Sequence, residues 1–563
     1  MAAGLQPTRY GSVVLPSGIV DVVERAHRST ASGLRALLFA GFGILFMAIV
    51  ATTPGSPYQP LLTPHGQPHG ILRDVAVGLH LDRLQGDPLL AIGVVAALVA
   101  TAGFLLLVRE AFRGTVSVRA VVLLVVAAHA VLLLVPLLFS RDVYSYAFYG
   151  RIAGIYGGNP YVQTPLDHSS DVLWNFVGPR WVDTPAYYGP LWVSFSALLS
   201  KILPRPIDHV EAYRFVAIAA SLSTCGVIIW VVHRLRPERT AFALAAFGAN
   251  PVVLFYAVAS GHNDLLVALA IVSAFALLVT ERESAAVAVL TLAVLIKVTA
   301  VLPLILLLVW CVGRRPRGQR RVALLSRVGL SAGIVLLFAW PYLQLRDPTL
   351  GMFGLAGQTG WLAPPTVVAH MIDVVTFHTL GWTVRLGALV LLAWGMWSLS
   401  RAVWRRASTG ATPATEQAAI WGWSLVLLML LGPILIPWYV VWGLPLVWAL
   451  PRVPRTTMLA ASSMLGVTLW SAEALRYPGA FELNLLVGYL VAVPVLLVLL
   501  VLVVGDLRSR MEFGRPLDDR ALAPVVPTLS GEPDDQERVP DPAGDAAGKA
   551  GDPPTIEIGA EAL

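Results

Sequence analysis

Cysteine is almost missing from this chain, and charge is scarce. Among 563 residues there are two cysteines, Cys225 and Cys311, and 13% are Asp, Glu, Lys or Arg. Two thiols far apart in apolar segments can build neither a disulfide framework nor a zinc motif. There is no Gly-rich nucleotide loop, no Gly-x-Ser-x-Gly elbow and no His/Cys metal spacing. A soluble nucleotide-sugar donor is therefore unsupported. A divalent metal would have to use Asp142 with Asp167, Asp171 or Asp183, whose spacing is not diagnostic. No solenoid repeat is present, and no cleavable signal peptide is expected, because the first 33 residues are mixed polar.

What fills the chain is hydrocarbon. It is 56% hydrophobic, with a mean hydropathy of +0.71, and apolar runs of membrane-spanning length recur throughout. That reads as all-α, a polytopic helical membrane protein. The net charge of +6 hides a split: eleven acidic and three basic residues from Asp518 onward give −8, leaving +14 elsewhere. The cationic excess sits in short loops, where it carries topology and not a nucleic-acid signature. About 14 transmembrane helices are expected, at 34–52, 87–108, 119–139, 210–232, 239–257, 264–280, 285–298, 299–313, 323–342, 383–402, 418–436, 438–450, 456–471 and 484–504. Both termini then lie in the cytoplasm of a multi-pass plasma-membrane protein. The organisation expected is a cytoplasmic segment 1–33, a membrane unit 34–505 and an acidic, disordered cytoplasmic tail 506–563. Within the unit, 141–205 is a large extracytoplasmic loop. Tyr188–Leu203 is expected as an amphipathic surface helix in that loop, and Pro364-Pro365 start a second one in the loop 343–382.

Polar chemistry concentrates in the first of these loops. Asp142 follows Arg141 at the exit of a span, as a general base for a sugar hydroxyl or as an interfacial Asp that caps a helix. Tyr144, Tyr146, Tyr188 and Trp192 suit carbohydrate stacking, and equally an interfacial aromatic belt. His262, Asn263 and Asp264 adjoin the start of a span, where they bind hydroxyls or a phosphate, or simply cap the helix. Lys297 interrupts the apolar run Ala285–Trp310. A buried lysine is costly, and stabilising the phosphate of a lipid donor would justify it; snorkelling to the interface is the alternative. Trp438, Tyr439 and Arg476 are weaker candidates. Arg141, Arg151, Arg180, Lys201 and Arg214 add to an external cationic surface.

In chain order, Ser140-Arg-Asp-Val-Tyr-Ser-Tyr146, Gly158-Asn-Pro-Tyr161, Trp181 through Thr184-Pro185, Tyr188-Gly-Pro-Leu-Trp192, Asn250-Pro251, Gly261-His-Asn-Asp264, Lys297 and Pro437-Trp-Tyr439 resemble the actinobacterial polyprenyl-phosphomannose-dependent α-(1→6)-mannosyltransferases of the GT-C superfamily. The match runs from about residue 119 to 440. The resemblance implies GT-C architecture and an extracytoplasmic acidic base, which falls on Asp142. It implies a lysine near the donor phosphate, which falls on Lys297, with help from Arg141 or Arg151. It implies transfer of mannose from a polyprenyl-phosphate-mannose donor to a mannan or phosphatidylinositol mannoside acceptor of lipomannan and lipoarabinomannan, with inversion and no cofactor. Many GT-C enzymes pair two acidic residues in the loop, whereas here Arg141 precedes a single Asp142. Arabinose or glucose donors on the same lipid, a lipid-linked-sugar flippase or transporter, and a non-catalytic envelope scaffold are the other readings.

Overall fold

The structure is a computed structural model, and it describes residues 17–60, 70–344, 350–352, 354, 363–377, 379–409, 413–467, 486 and 488–517. The expectations placed on Arg476 and its loop at 472–483, on much of the loop 343–382 and on the tail past 517 lie outside the described residues.

Among the described residues every regular element is helical. The first half runs α1 (Ser17–Thr52), α2 (Ile71–Gly78), α3 (Asp87–Phe112), α4 (Val118–Leu132), α5 (Asp142–Gly154), α6 (Pro190–Ile202), α7 (Pro206–Leu235) and α8 (Thr240–Gly248). Then come α9 (Asp264–Val279), α10 (Glu283–Val294), α11 (Val301–Gly313), α12 (Arg320–Ala339), α13 (Pro364–Val375), α14 (Gly381–Ser408), α15 (Gln417–Leu431), α16 (Arg452–Val467) and α17 (Val493–Phe513).

Among the described residues seven helices are long and apolar enough to cross a membrane: 31–52, 87–112, 206–235, 317–342, 381–408, 414–431 and 490–512. An eighth is broken, Pro237–Gly248 joined to Val252–Val258 at a 42° bend. These eight carry eight of the expected spans. The other expected runs take different forms. The helix of 119–139 stops at Leu132, four residues before Pro136, whose ring and missing N–H oppose further helix. The runs at 264–280, 285–298 and 299–313 are the short helices α9, α10 and α11. A helix of 12 residues, such as α10, rises only about 18 Å against a hydrocarbon core of about 30 Å. The run 438–450 is not an α-helix. Pro437–Trp442 and Leu444–Leu446 are 3-10 helices, and i→i−3 hydrogen bonds continue to Leu450. Pro437 and Pro445 each remove a donor from this stretch. Finally, α16 covers the start of 456–471, and residues past 467 are not described.

Such breaks are tolerated at membrane depth only where protein surrounds them. The chain meets that condition: α8, the π-helical Val252–Val258 and the Pro437–Leu450 stretch are almost wholly buried. Broken helices put backbone turns and polar side chains inside an apolar body, and the candidate site is built from three of them.

The segments expected as surface helices are the helices α6 and α13. α6 buries Trp192, Val193, Ser196 and Ser200 and exposes Leu198 and Ile202. Its close approach to α5 depends on two glycines. A Cβ at Gly150 would lie 2.3 Å from the Ser196 carbonyl oxygen, and one at Gly154 2.5 Å from that of Ala197. Gly150-x-x-x-Gly154 is thus a small-residue face that lets two backbones touch.

Candidate active site

Asp142 opens α5, in a chain segment held from several sides. The Ser260 hydroxyl donates to the Leu138 carbonyl at 2.5 Å, and the buried Arg214 guanidinium donates to the Val135 carbonyl at 2.7 Å. Phe139 N–H donates to Tyr58 O at 2.7 Å. Phe139 itself sits at φ +55°, a strained conformation for a bulky residue, with its ring stacked on Tyr256 at 4.0 Å. The strain turns the chain so that Asp142 enters the body. The Ser140 hydroxyl accepts the Asp142 N–H at 3.1 Å and starts the helix.

The carboxylate of Asp142 keeps 21% of its side-chain surface exposed. Its Oδ2 accepts from the Tyr188 hydroxyl at 3.4 Å and lies 3.6 Å from His262 Nδ1. Burial raises its carboxyl from 3.8 to about 6, against the opposing pull of Lys297 and a hydrogen bond with Ser140. Burial, reinforced by Lys297, holds the His262 imidazole well below its usual range, so it is neutral at pH 7. Its Nδ1 is 3.2 Å from the Tyr146 hydroxyl, and its ring stacks on Trp438 at 3.9 Å.

The turn Gly261–Asp264 brings the second carboxylate. Gly261 has φ +67°, and a Cβ there would lie 2.9 Å from Val143 in α5, so glycine both makes the turn and lets it touch the helix of Asp142. Asp264 is fully buried. Its Oδ1 accepts from Lys297 Nζ at 2.7 Å and from Trp442 Nε1–H at 2.7 Å, while Oδ2 stands 4.0 Å from His262 Nδ1. The simple capping alternative fails here: Asn263 is the N-cap of α9 but makes no side-chain cap bond. Both side-chain polar atoms of Asn263, with Asp264 Oδ2 and His262 Nε2, are buried without a hydrogen-bond partner among the described residues.

Lys297 occupies the break between α10 and α11 in an extended conformation. It is 6% exposed and does not snorkel. Its ammonium sits over the rings of Tyr439 at 4.7 Å and Trp442 at 5.4 Å. The motif Tyr188-Gly-Pro-Leu-Trp192 explains itself at this break. Gly189 N–H donates to Ile296 O at 3.0 Å and Leu191 N–H to Leu295 O at 3.1 Å. A Cβ at Gly189 would lie 2.1 Å from the Leu295 carbonyl oxygen. The start of α6 is thereby clipped to the segment that carries Lys297.

Asp142, Tyr146, Tyr188, His262, Asp264, Lys297, Trp438 and Tyr439 thus form one connected cluster. Trp192 backs it, edge-on to Tyr146 at 5.2 Å. Tyr144 is buried with its ring 5.2 Å from Phe176, and Arg141 is buried beside Asp142. Arg151 stands elsewhere. Nine residues along α5, about 13 Å at 1.5 Å per residue, it pairs with Asp171 at 2.7 Å, where Tyr156 also donates at 2.6 Å. This ion pair ties Arg151, expected near the donor phosphate, to the loop and outside the cluster around Asp142. Of the carboxylates weighed as metal donors, Asp171 is engaged there, and Asp167 accepts the Thr164 N–H at 2.7 Å.

Sequence reasoning missed Trp442. It stands three residues from Tyr439 in the 3-10 helix Pro437–Trp442 and stacks with that ring at 4.4 Å.

Residues 42–313, which contain Asp142, the Gly261–Asp264 turn and Lys297, match the family described as alpha-(1→6)-mannopyranosyltransferase, N-terminal domain. Over these residues the chain is similar to that mannosyltransferase family. It is 29% identical over 367 residues to alpha-(1→6)-mannopyranosyltransferase A of Mycobacterium tuberculosis, covering 61% of this chain and 68% of the relative. It is 28% identical over 178 residues to the protein of the same name from Corynebacterium glutamicum, covering 31% and 36%. A probable alpha-(1→6)-mannopyranosyltransferase of Mycolicibacterium smegmatis is 33% identical over 144 residues, 24% of each chain. No solved structure matches the chain.

Proposed function

We propose that the chain transfers a mannosyl unit from polyprenyl-phosphate mannose to the 6-hydroxyl of a growing α-(1→6)-mannan, on the extracytoplasmic face. The observation that carries this reading is a partly exposed carboxylate, Asp142, wired through His262 and Asp264 to a buried cation, Lys297, in a membrane-embedded body.

The acceptor oxygen bonds to the anomeric carbon while the bond from that carbon to the phosphate oxygen breaks. The hydroxyl proton passes to Asp142. Because Tyr188 and His262 both face Oδ2, Oδ1 is the oxygen left for the acceptor. The lipid phosphate departs with one more negative charge, and Lys297 is placed to stabilise it. Direct displacement on a β-linked donor yields the α-linked product. Asp264 holds Lys297 before the phosphate competes for it. Tyr188 and Tyr439, only partly buried, offer ring faces to the sugar, while Tyr146 and Trp192 support them from behind. We propose that Lys297 supplies the charge stabilisation and that no metal is required. Positive-inside placement of Arg314, Arg315 and Arg327, gathered on Glu283 at 2.8 to 3.2 Å, supports cytoplasmic termini and an external Asp142.

The test is to incubate membranes with labelled polyprenyl-phosphomannose and short α-(1→6)-mannosides. Transfer by the native protein and its loss in Asp142→Asn are expected. Turnover by Asp142→Asn near the native rate would remove Asp142 from the role.

A further inference from the structure

The C-terminal ends of α14 and α17 enclose a cleft of about 340 Å³ that has no part in the cluster around Asp142. Three arginines of α14, Arg401, Arg405 and Arg406, share it with three from α17 and the turn after it, Arg508, Arg510 and Arg515. Carboxylates answer only some of them. Arg406 pairs with Glu416 at 2.9 Å, Arg508 with Glu512 at 2.7 Å and Arg510 with Asp506 at 2.9 Å. Six arginines thus meet at one cleft. Arg401 and Arg405 make no ion pair among the described residues. They stand one helical turn apart, about 6 Å between Cβ atoms, a separation that two guanidinium groups can close on one phosphate.

The order of residues along each helix is as telling as the charge. In α14 the exposed Leu389, Val390 and Leu391 are followed by Trp394 and Trp397, then by the arginines; the Arg401 guanidinium lies 5.2 Å over the Trp397 ring. In α17 the exposed Val498, Val501 and Leu502 precede Arg508. Hydrocarbon-facing surface, then aromatic belt, then cations is the order that an acyl chain, glycerol backbone and phosphate require. Arginines serving topology alone would spread into water; these converge from helices about a hundred residues apart.

We propose that this cleft is a binding site for an anionic phospholipid. Arg401 and Arg405 hold the phosphodiester, Trp394 and Trp397 lie at the glycerol level, and the acyl chains follow the exposed faces of α14 and α17. The test uses the full-length protein in a neutral detergent, titrated with phosphatidylglycerol, phosphatidylcholine or inorganic phosphate, with bound ligand read by native mass spectrometry. Phosphatidylglycerol binds at least about tenfold tighter than phosphatidylcholine, and the double variant Arg401→Gln/Arg405→Gln loses about thirtyfold in phosphatidylglycerol affinity. Arg109→Gln/Arg113→Gln, at the end of α3, leaves that affinity unchanged. Equal affinity for the two lipids overturns the proposal from the native protein alone, whether or not the variants fold. So does an unchanged affinity in the first variant, an equal loss in the second, or displacement of the lipid by millimolar inorganic phosphate.

Discussion

Replacing Asp142 with Asn should make the protein slower and more stable at once. The carboxyl is lifted from 3.8 to about 6, roughly two units, so the ionised form costs the folded state about 3 kcal/mol at 1.36 kcal/mol per unit. Asparagine keeps the size and still accepts from Tyr188, but carries no charge to desolvate. The sign of the pH dependence follows. The folded state holds the Asp142 proton more tightly than the unfolded chain does. The Asp142 contribution to stability is therefore greatest below about 4 and falls as pH rises through 6. The variant's advantage should be full at pH 7 and vanish by pH 4. Thermal unfolding in detergent across that range reads it. Transfer at pH 7 should fall by about 10²–10⁴, the usual worth of a positioned base. In the native protein, kcat/KM should drop tenfold per unit below about pH 6 as Asp142 protonates. A variant that is slower but no more stable at pH 7 would refute the burial argument. A native acidic limb near pH 4 would refute it equally.

Lys297→Met should destabilise by about 3–5 kcal/mol, because it strands Asp264 in the interior; Lys297→Met/Asp264→Asn should regain most of that in thermal unfolding but no transfer activity. Gly189→Ala forces a Cβ to 2.1 Å from the Leu295 oxygen and should lower transfer by displacing the Lys297 segment, while Gly157→Ala, with nothing nearby, should cost only the strain of its φ of +64°. Arg151→Met should lower thermal stability by freeing the buried Asp171 and leave the donor KM unchanged; a raised donor KM in folded protein would return Arg151 to the phosphate site.

The broken helices set the limit of what could be read in advance. Asp142 and Lys297 were legible because charge in hydrocarbon is costly, so each stands out against its apolar flanks. Arg151 stands out by the same rule, but a linear sequence does not show that Asp171, twenty residues on, folds back to meet it. The 438–450 run reads as a span because its composition is apolar, while its 3-10 winding follows from two prolines and from burial by neighbours.

Sequence alone determined that the chain is a helical membrane protein, and that a few ionisable residues are set near helix ends. Hydropathy and charge are properties of short stretches, so they survive without a fold. Only the tertiary structure decided that Asp142 and Lys297 share one cluster, because the close approaches at Gly189 and Gly261 depend on backbones far apart in the chain. It also decided that Asp264 is the partner of Lys297, since a buried ion pair exists only once packing has excluded water from both charges.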